Sequence, residues 1–395
     1  MLSHRQLFLQ HQAQTTEFPL SLQIEKAEGV YMYGPNGESY LDLISGIGVS
    51  NIGHRHPQVI AAIQAQLEKY LHLMVYGELV QAPQVQLATE LQKTLPPRLD
   101  NVYLVNSGAE AVEGALKLAK RYTGRTELIS CFNSYHGSTH GALSVTGSEN
   151  FKRAYRPLLP GIRHIVYNHL ADLKYITEQT AAVIIEAVQG EAGIRVPSLA
   201  YMQALQEKCH QTGTLLILDE IQTGFGRTGT FWGFEQYNIT PDVVLCAKGM
   251  GGGMPIGAFI APAAIMGVFK NDPILGHITT FGGHPVSCAA ALATLQVVQS
   301  SNLLEEVKPK AELFKKLLVH PRIKEVRHQG LLMAAEFESF SVLKPIIDRA
   351  ITKGVLTDWF LFCDNSMRIA PPLTITNAQI EAACQIILEA IAEVA

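Results

Sequence analysis

The chain has 395 residues, of which 47% are hydrophobic and 17% are charged, and its formal net charge at pH 7 is -4. This length allows one large domain or two ordinary ones, and the apolar content is typical of a globular protein. Because Lys and Arg are scattered and form no basic stripe, the sequence indicates no nucleic-acid partner.

The N-terminal stretch MLSHRQLFLQHQAQTTEF lacks the long apolar core and the small-residue cleavage site of a signal peptide. No apolar run approaches the roughly 20 residues that a membrane-spanning helix needs. The six cysteines are far apart and form no Cys-x-x-Cys pair, which favours reduced thiols over a zinc site or a disulfide framework. We therefore expect a soluble, cytoplasmic protein with no membrane partner.

The first regular pattern is EGVYMYGPNGESYLDL, in which two short alternating runs flank Pro35-Asn36-Gly37 and predict a β-hairpin. From about residue 55 to 290, helical patterns such as HPQVIAAIQAQLEKY and QVQLATELQKTL alternate with short apolar runs. The predicted strands are NVYLV, ELISCF, AAVIIEAV, TLLILDE and DVVLCAK. This alternation predicts an α/β fold whose mostly parallel central sheet is covered by helices.

The pattern changes after the helical stretch PVSCAAALATLQVVQ. Short strands LLMAAEF and MRIAPPL follow, and a last helix is predicted from about Asn377. We assign 1–50 to an N-terminal segment that joins a small domain, 51–290 to the large domain and 291–395 to the small α+β domain. Since no low-complexity linker separates them, we expect the domains to share an interface.

A capped helix is predicted in LVNSGAEAVEGALKLAKRYTG. Ser107 stands at the N-cap position, and Glu110 three residues later completes a capping box. A well-capped helix is the simplest interpretation. The small residues Ser107, Gly108 and Ala109 would also let a phosphate approach the free N–H groups and the positive end of the helix dipole.

Three other patterns suggest ligands, with weaker support. GFGRTG at 224–229 matches a dinucleotide-binding pattern, but the aromatic FWGFEQYN that follows shows no amphipathic helix, so a nicotinamide-dependent dehydrogenase is a distant alternative. The glycines at 249–253 lack the closing Gly-Lys-Ser/Thr of a P-loop. HRH at 54–56 offers only two imidazoles, too few for a typical zinc site, and we predict no metal.

Two apolar runs end abruptly in charge, at Asp219-Glu220 and at Lys248. Both positions fall at the carboxyl ends of predicted strands, where open α/β sheets hold their ligands. Lys248 could merely pair with Asp219, but a shielded lysine becomes a nucleophilic amine suited to a Schiff base. A nearby carboxylate such as that of Asp219 stabilises the protonated form of an aromatic ring nitrogen. With the phosphate site, these groups match pyridoxal 5'-phosphate (PLP).

The chain resembles the class III aminotransferases of fold type I, the group of acetylornithine, ornithine and 4-aminobutyrate aminotransferases. The resemblance covers nearly the whole chain. It rests on the motifs NSGAEA, SYHGST, EAVQGEAG, LLILDEIQTGFGRTG, CAKGMGGGMPIGA, TTFGGHP and MRIAPPL, which stand in the family's order. It implies a homodimer that binds PLP, a small-molecule amino donor and a 2-oxo acid acceptor.

The resemblance also implies a role for each matched residue. Lys248 would form the Schiff base and move the proton, while Asp219 would pair with the pyridine nitrogen. Arg368 would bind the substrate α-carboxylate, and Glu191 would pair with Arg368 for an ω-amine substrate and release it for a 2-oxo acid. The further implied cofactor contacts are Ser107, Gly108, Ala109, Tyr135, His136, Glu186, Gln222 and, in the neighbouring subunit's site, Thr280.

Two departures from the family pattern concern the substrate. Ser138 stands where many members carry an arginine for the distal carboxylate of 2-oxoglutarate, unless Lys152, Arg153 or Arg163 replaces it. Ile47 stands where ornithine aminotransferases carry a substrate-binding tyrosine, which favours acetylornithine-like or 4-aminobutyrate-like donors over plain ornithine.

We therefore predict a PLP-dependent aminotransferase that works by two ping-pong half-reactions. It would move an amino group from an ω-amino acid or N-acylated diamino acid to a 2-oxo acid. Another PLP reaction on the same fold, such as decarboxylation, racemisation or an aminomutase reaction, is the nearer alternative because a fold does not determine a reaction.

Overall fold

The computed structural model describes residues 2–394, in which the strands form three sheets. The strands are β1 (Lys26–Glu28), β2 (Tyr31–Tyr33), β3 (Ser39–Asp42), β4 (Asn101–Val105), β5 (Glu127–Cys131), β6 (Ile162–Ile165), β7 (Thr180–Glu186), β8 (Leu215–Asp219), β9 (Val243–Cys246), β10 (Gly257–Ala261), β11 (Glu325–Gln329), β12 (Leu332–Glu336), β13 (Val355–Leu356), β14 (Trp359–Phe360) and β15 (Cys363–Ile369).

The helices in the same range are α1 (His4–His11), α2 (Ser45–Gly48), α3 (Pro57–Leu67), α4 (Ala82–Lys93), α5 (Gly108–Thr123), α6 (His140–Val145), α7 (Glu149–Lys152), α8 (Leu199–Thr212), α9 (Ala263–Met266), α10 (Pro285–Ser300), α11 (Leu303–Leu317), α12 (Phe340–Thr352) and α13 (Asn377–Glu393). Short 3-10 helices lie at Arg153–Tyr155, Leu170–Tyr175, Gly233–Tyr237, Lys248–Gly251 and Gly267–Lys270. None of the helices in this part of the chain combines the length and hydropathy that crossing a bilayer requires.

The central sheet has seven strands in the order β4-β10-β9-β8-β7-β5-β6. Its pairs are parallel except those of β10, which runs antiparallel to β9 and β4. The predicted mostly parallel sheet is therefore confirmed, whereas β6 and the antiparallel β10 had not been predicted. Parallel pairing brings the carboxyl ends of β5, β7, β8 and β9 to one edge, and this edge holds the site described below.

Helices cover both faces of this sheet, which explains why its inner strands are continuous apolar runs. Every residue of β7, β8 and β9 is buried. In β8 the side chains alternate between two cores: Leu216 and Leu218 pack with α4, α8 and α10, while Leu215 and Ile217 pack with α5 on the opposite face.

A third core lies under the remaining two sheets, β1-β2-β3-β13 and β11-β12-β15-β14. The predicted hairpin is β2 and β3, and it joins the C-terminal half of the chain because β3 pairs with β13. The last helix begins at Asn377, as predicted.

The predicted domain boundary at residue 290 falls inside α10. Buried residues of α10 as far as Val298 pack in the core of the central sheet, whereas Val307 of α11 packs in the third core. We therefore propose that the large domain extends through α10 and that the domains divide near Ser301 and Asn302.

Candidate active site

A cavity of about 570 Å³ opens at the carboxyl edge of the central sheet. Most of the residues singled out in the sequence line it, although they come from distant segments. They are Ser107, Gly108, Ala109, Tyr135, His136, Ser138, Glu186, Glu191, Asp219, Gln222 and Lys248.

One wall of the cavity is the start of α5. The Oγ of Ser107 caps this helix by accepting from the N–H of Glu110 at 3.2 Å. The predicted capping box is only half formed, because the Glu110 carboxylate accepts instead from the N–H of Asn106, at 2.7 Å. Within residues 2–394, the N–H groups of Gly108 and Ala109 have no acceptor. Free N–H groups at the positive end of a helix, here one of 16 residues, are an arrangement that favours binding of an anion.

Glu113, which the sequence did not single out, positions the loop that carries Tyr135 and His136. Its carboxylate, one turn into α5, accepts from the Thr139 hydroxyl at 2.5 Å and from the Gly141 N–H at 2.8 Å. A side chain at Gly141 would overlap that carboxylate. Glu113 thus joins α5 to the loop that carries Tyr135 and His136. Nothing in the motif SYHGST pointed to this partner, since Glu113 precedes it by a whole strand.

Asp219 lies at the end of β8 and is 4% exposed. Its Oδ2 is 2.7 Å from the Nδ1 of His136, and its Oδ1 accepts from the N–H of Ile221. These two contacts orient the carboxylate, while the buried Nε2 of His136 has no partner among the described residues.

Glu186, at the end of β7, accepts from the N–H groups of Tyr135 and Gly190 at 3.1 and 3.0 Å. Burial raises the pKa of this carboxyl to about 7, and the nearby Asp219 acts in the same direction. Through its two hydrogen bonds, Glu186 joins the loop that follows β5 to the loop that follows β7.

One residue, Ala247, separates Lys248 from the end of β9. The φ of Lys248 is +44°, a left-handed conformation that costs a non-glycine residue free energy. The structure does not show the simple pairing with Asp219 that the sequence allowed, because the Lys248 Nζ has no hydrogen bond or ion pair with any residue of the described range. Burial lowers the pKa of this amine, although Glu191 and Asp219 act in the opposite direction. The result is an unpartnered amine facing the cavity, as a nucleophile requires.

Arg368, on β15, is 2% exposed and is covered by Glu191. Two parallel hydrogen bonds of 2.9 and 3.0 Å join the guanidinium Nη1 and Nη2 to the Glu191 carboxylate. The same carboxylate accepts from the N–H of Leu361. Burial opposes the charge on Glu191, but Arg368 outweighs it and holds the pKa of Glu191 below its ordinary value. Glu191 lines the cavity, and Arg368 lies behind it.

Some predicted residues lie outside the cavity. Ile47 packs against the third core, and Val49 lines the cavity instead. Thr280 is exposed and does not reach the cavity of its own chain.

The basic residues considered in the sequence as replacements for the missing arginine also lie elsewhere. The Nζ of Lys152 is 3.4 Å from the Nε2 of His164, and Arg163 lies over the ring of Tyr175. Neither these two nor Arg153 lines the cavity in the described part of the chain.

The GFGRTG segment forms hydrogen bonds within its own chain and offers no dinucleotide site. Arg227 is fully buried and donates to the carbonyl oxygens of Leu331 and Pro371 and to the Oδ1 of Asn51. The element that follows it is the five-residue 3-10 helix Gly233–Tyr237 and not the α-helix of a dinucleotide-binding unit. The dehydrogenase alternative is therefore wrong.

The family is decided by comparison with known proteins. The family model described as Aminotransferase class-III matches residues 12–391. The chain belongs to the class III aminotransferases. They use PLP, so this aminotransferase is a PLP-dependent enzyme.

Relatives agree with this assignment. The aminotransferase is 40% identical to an acetylornithine aminotransferase from Methanopyrus kandleri, over 82% of this chain and 83% of the relative. It is 39% identical to a [LysW]-aminoadipate semialdehyde/glutamate semialdehyde transaminase from Sulfurisphaera tokodaii, over 80% and 81%. A crystal structure of the ornithine aminotransferase from Toxoplasma gondii superposes with a TM-score of 0.91 at 30% identity, covering 98% of this chain and 94% of that one. A second structure of that enzyme, described as having partial occupancy of PLP at the active site, superposes with the same TM-score and identity and covers 98% of this chain and 93% of that one.

The cavity of the aminotransferase fits PLP on its own geometry. The free N–H groups of Gly108 and Ala109 suit the phosphate, and Asp219 supplies a buried carboxylate for a ring nitrogen. The unpartnered amine of Lys248 suits the aldehyde. These are three complementary groups in one cavity of sufficient size.

Proposed function

We propose that this enzyme moves an amino group from an ω-amino acid or N-acylated diamino acid to a 2-oxo acid. The observation that carries the proposal is the Glu191–Arg368 pair at the edge of the cavity that holds Lys248. Such a pair lets one buried guanidinium be masked for one substrate and available for the other. The names of the relatives, acetylornithine and aminoadipate semialdehyde aminotransferases, support this donor class.

Each group of the cavity would have one task toward PLP. The N–H groups of Gly108 and Ala109 and the hydroxyl of Ser107 would hold its phosphate, and Asp219 would keep its ring nitrogen protonated. Tyr135 would lie against the ring and Gln222 would contact the phenolic oxygen. Lys248 would hold the aldehyde through its amine. When bound, PLP supplies an electron sink that stabilises negative charge at the substrate carbon.

Lys248 would then act as the proton carrier. With its amine no longer joined to the aldehyde, the Lys248 Nζ would take the proton from the substrate carbon and deliver it to the carbon atom that had belonged to the aldehyde. Burial favours this role because it lowers the pKa of the amine toward physiological pH. His136 supports the chemistry indirectly by fixing the Asp219 carboxylate through a 2.7 Å contact.

The substrates would be distinguished at Arg368. In an ω-amino acid the carbon that bears the reacting amine carries no carboxylate, so Glu191 stays on the guanidinium and keeps its charge neutralised. A 2-oxo acid presents a carboxylate that can replace Glu191 with the same bidentate geometry. Among the described residues that line the cavity, Lys248 is the only lysine or arginine. We therefore propose that the preferred acceptor has one carboxylate, because a second one would find no cation near Ser138.

We also propose that the enzyme is a homodimer in which Thr280 completes the phosphate site of a second copy. Thr280 is exposed, and the apolar neighbours Ile278 and Phe281 are 50% and 53% exposed, as expected for side chains that a second copy would cover.

We propose the cytoplasm as the compartment of this enzyme. All six cysteines are unpaired, which supports a reducing environment.

The test follows each half-reaction separately. The PLP-loaded enzyme is mixed with 4-aminobutyrate, N-acetylornithine or ornithine, and the loss of its visible absorbance is recorded. Pyruvate or 2-oxoglutarate is then added, and the recovered absorbance and the new amino acid are quantified. We expect one amino group to reach the acceptor per donor consumed. Carbon dioxide release or inversion of the donor without any amino transfer would instead establish another PLP reaction.

A further inference from the structure

Arg368 is held by a second carboxylate besides Glu191. The Nε of Arg368 donates to the Oδ1 of Asp358 at 2.8 Å, and the backbone N–H of Arg368 donates to the Asp358 carbonyl at 2.9 Å. The Asp358 side chain is 23% exposed. Neither the motif MRIAPPL nor any sequence pattern singled out Asp358.

The guanidinium therefore has two separate edges. Its outer edge, Nη1 and Nη2, faces Glu191, and its inner edge, Nε, faces Asp358. The Nη2 group of the outer edge also donates to the carbonyl of Trp359 at 3.1 Å, and the centroid of the Phe360 ring lies 4.4 Å from the Arg368 Cζ. The outer edge is the one that a substrate carboxylate would need.

The two carboxylates belong to different parts of the chain. Glu191 lies in the loop after β7 of the large domain, whereas Asp358 lies between β13 and β14, close to Arg368 in sequence and in the sheet. A movement of the Glu191 side chain breaks the outer contacts and leaves the inner ones in place. The guanidinium can thus lose one partner without losing its orientation.

The charges support the same division. With Glu191 in contact, one cation faces two carboxylates, and these together raise the pKa of Arg368 against the effect of burial. After Glu191 leaves, Arg368 and Asp358 still form a neutral pair. Without Asp358, Arg368 would be a buried and unpaired cation between the departure of Glu191 and the arrival of the substrate carboxylate, which is strongly unfavourable.

We propose that Asp358 is the positioning residue that keeps Arg368 oriented and neutralised while Glu191 gives way to the carboxylate of a 2-oxo acid. This inference rests on the proposed function, in which Arg368 binds that carboxylate. It assigns Asp358 to the acceptor half-reaction alone, since an ω-amine donor leaves the Glu191–Arg368 pair intact.

The test compares Asp358→Ala, Asp358→Asn and Arg368→Ala with the unchanged PLP-loaded enzyme. For each, the two half-reactions are measured with the best ω-amine donor of the panel above and with pyruvate. We expect Asp358→Ala to raise the KM for pyruvate roughly tenfold, the value of one charge-assisted hydrogen bond, with the donor half-reaction within about twofold of the original. Asp358→Asn keeps an acceptor for Nε and should recover part of the loss.

The outcomes separate the two proposals. If Arg368→Ala leaves the acceptor half-reaction unchanged, the proposed carboxylate site is wrong. If Arg368→Ala impairs that half-reaction but both Asp358 variants leave the pyruvate KM unchanged, the role of Asp358 is refuted. Equal losses in both half-reactions would also refute it, since they indicate a general structural effect. Thermal midpoints and PLP content identify a variant that does not fold, and Asp358→Asn then decides the question.

Discussion

The amide oxygen of Gln222 occupies the space that a Cβ at Gly190 would need. Gln222 follows β8, and Gly190 follows β7, so the two neighbouring strands bring these loops into direct contact. The close approach explains why the motif EAVQGEAG has a glycine at this point, although its backbone is not in the left-handed region.

Gly190→Ala should therefore weaken PLP binding. The added methyl group would push the Gln222 side chain into the cavity, and overpacking of this kind costs about 1–3 kcal/mol. We expect the dissociation constant of PLP to rise about tenfold, measured by titrating the apoenzyme and following visible absorbance. Gly267→Ala is the matched control, because a Cβ there meets no atom within 4 Å. Equal PLP affinity in the two variants would contradict the prediction.

Ser138→Arg should improve 2-oxoglutarate as an acceptor. Ser138 is exposed beside the cavity, with its Oγ 3.3 Å from the hydroxyl of Tyr135. In the described range, no arginine lines the cavity of the unchanged enzyme. A new charge-assisted contact is worth ~1.5–3 kcal/mol, so we expect kcat/KM for 2-oxoglutarate to rise roughly ten- to a hundredfold. Ser138→Gln adds length without charge and should give no such gain. Pyruvate should not benefit, and a similar gain for both acids would argue against a distal carboxylate site.

Arg227→Lys should lower the free energy of unfolding by roughly 2–4 kcal/mol, because an ammonium cannot reach all three oxygen acceptors and the unpaired ones stay buried. Urea denaturation of the variant measures the loss. The exposed Arg153→Lys is the control and should change stability by less than about 0.5 kcal/mol. An unchanged midpoint for Arg227→Lys would mean that the guanidinium does not stabilise the contact between the central sheet and the C-terminal part of the chain.

The attachment of PLP to the apoenzyme should depend on pH through Lys248. A lysine amine is nucleophilic above its pKa, and burial places the pKa of Lys248 below the ordinary 10.5, while Glu191 raises it. Glu191→Gln removes that negative charge and leaves the positive Arg368 nearby, so the pKa of Lys248 should fall further. We expect the rising limb of the attachment rate to shift to lower pH. Glu338→Gln, at an exposed position, should leave the profile unchanged; a shift to higher pH in Glu191→Gln would show that the sign is wrong.

The sequence determined where the central strands lie and which charged residues end them. Buried parallel strands require short continuous apolar runs, and a lysine or an aspartate that ends such a run is visible without any structure. Lys248 and Asp219 could therefore be placed at one edge of one sheet, and the family motifs then identified the enzyme class.

Tertiary structure decided the contacts between residues that no local pattern connects. The hydrogen bonds of Glu191, Asp358 and Arg227 link segments whose proximity depends on how sheets and helices pack. The sequence left Lys248 free to pair with Asp219, whereas in the structure the Asp219 carboxylate contacts His136 instead. Local periodicity reports which face of an element is buried, whereas the partner of a buried charge is decided by the three-dimensional arrangement that surrounds it.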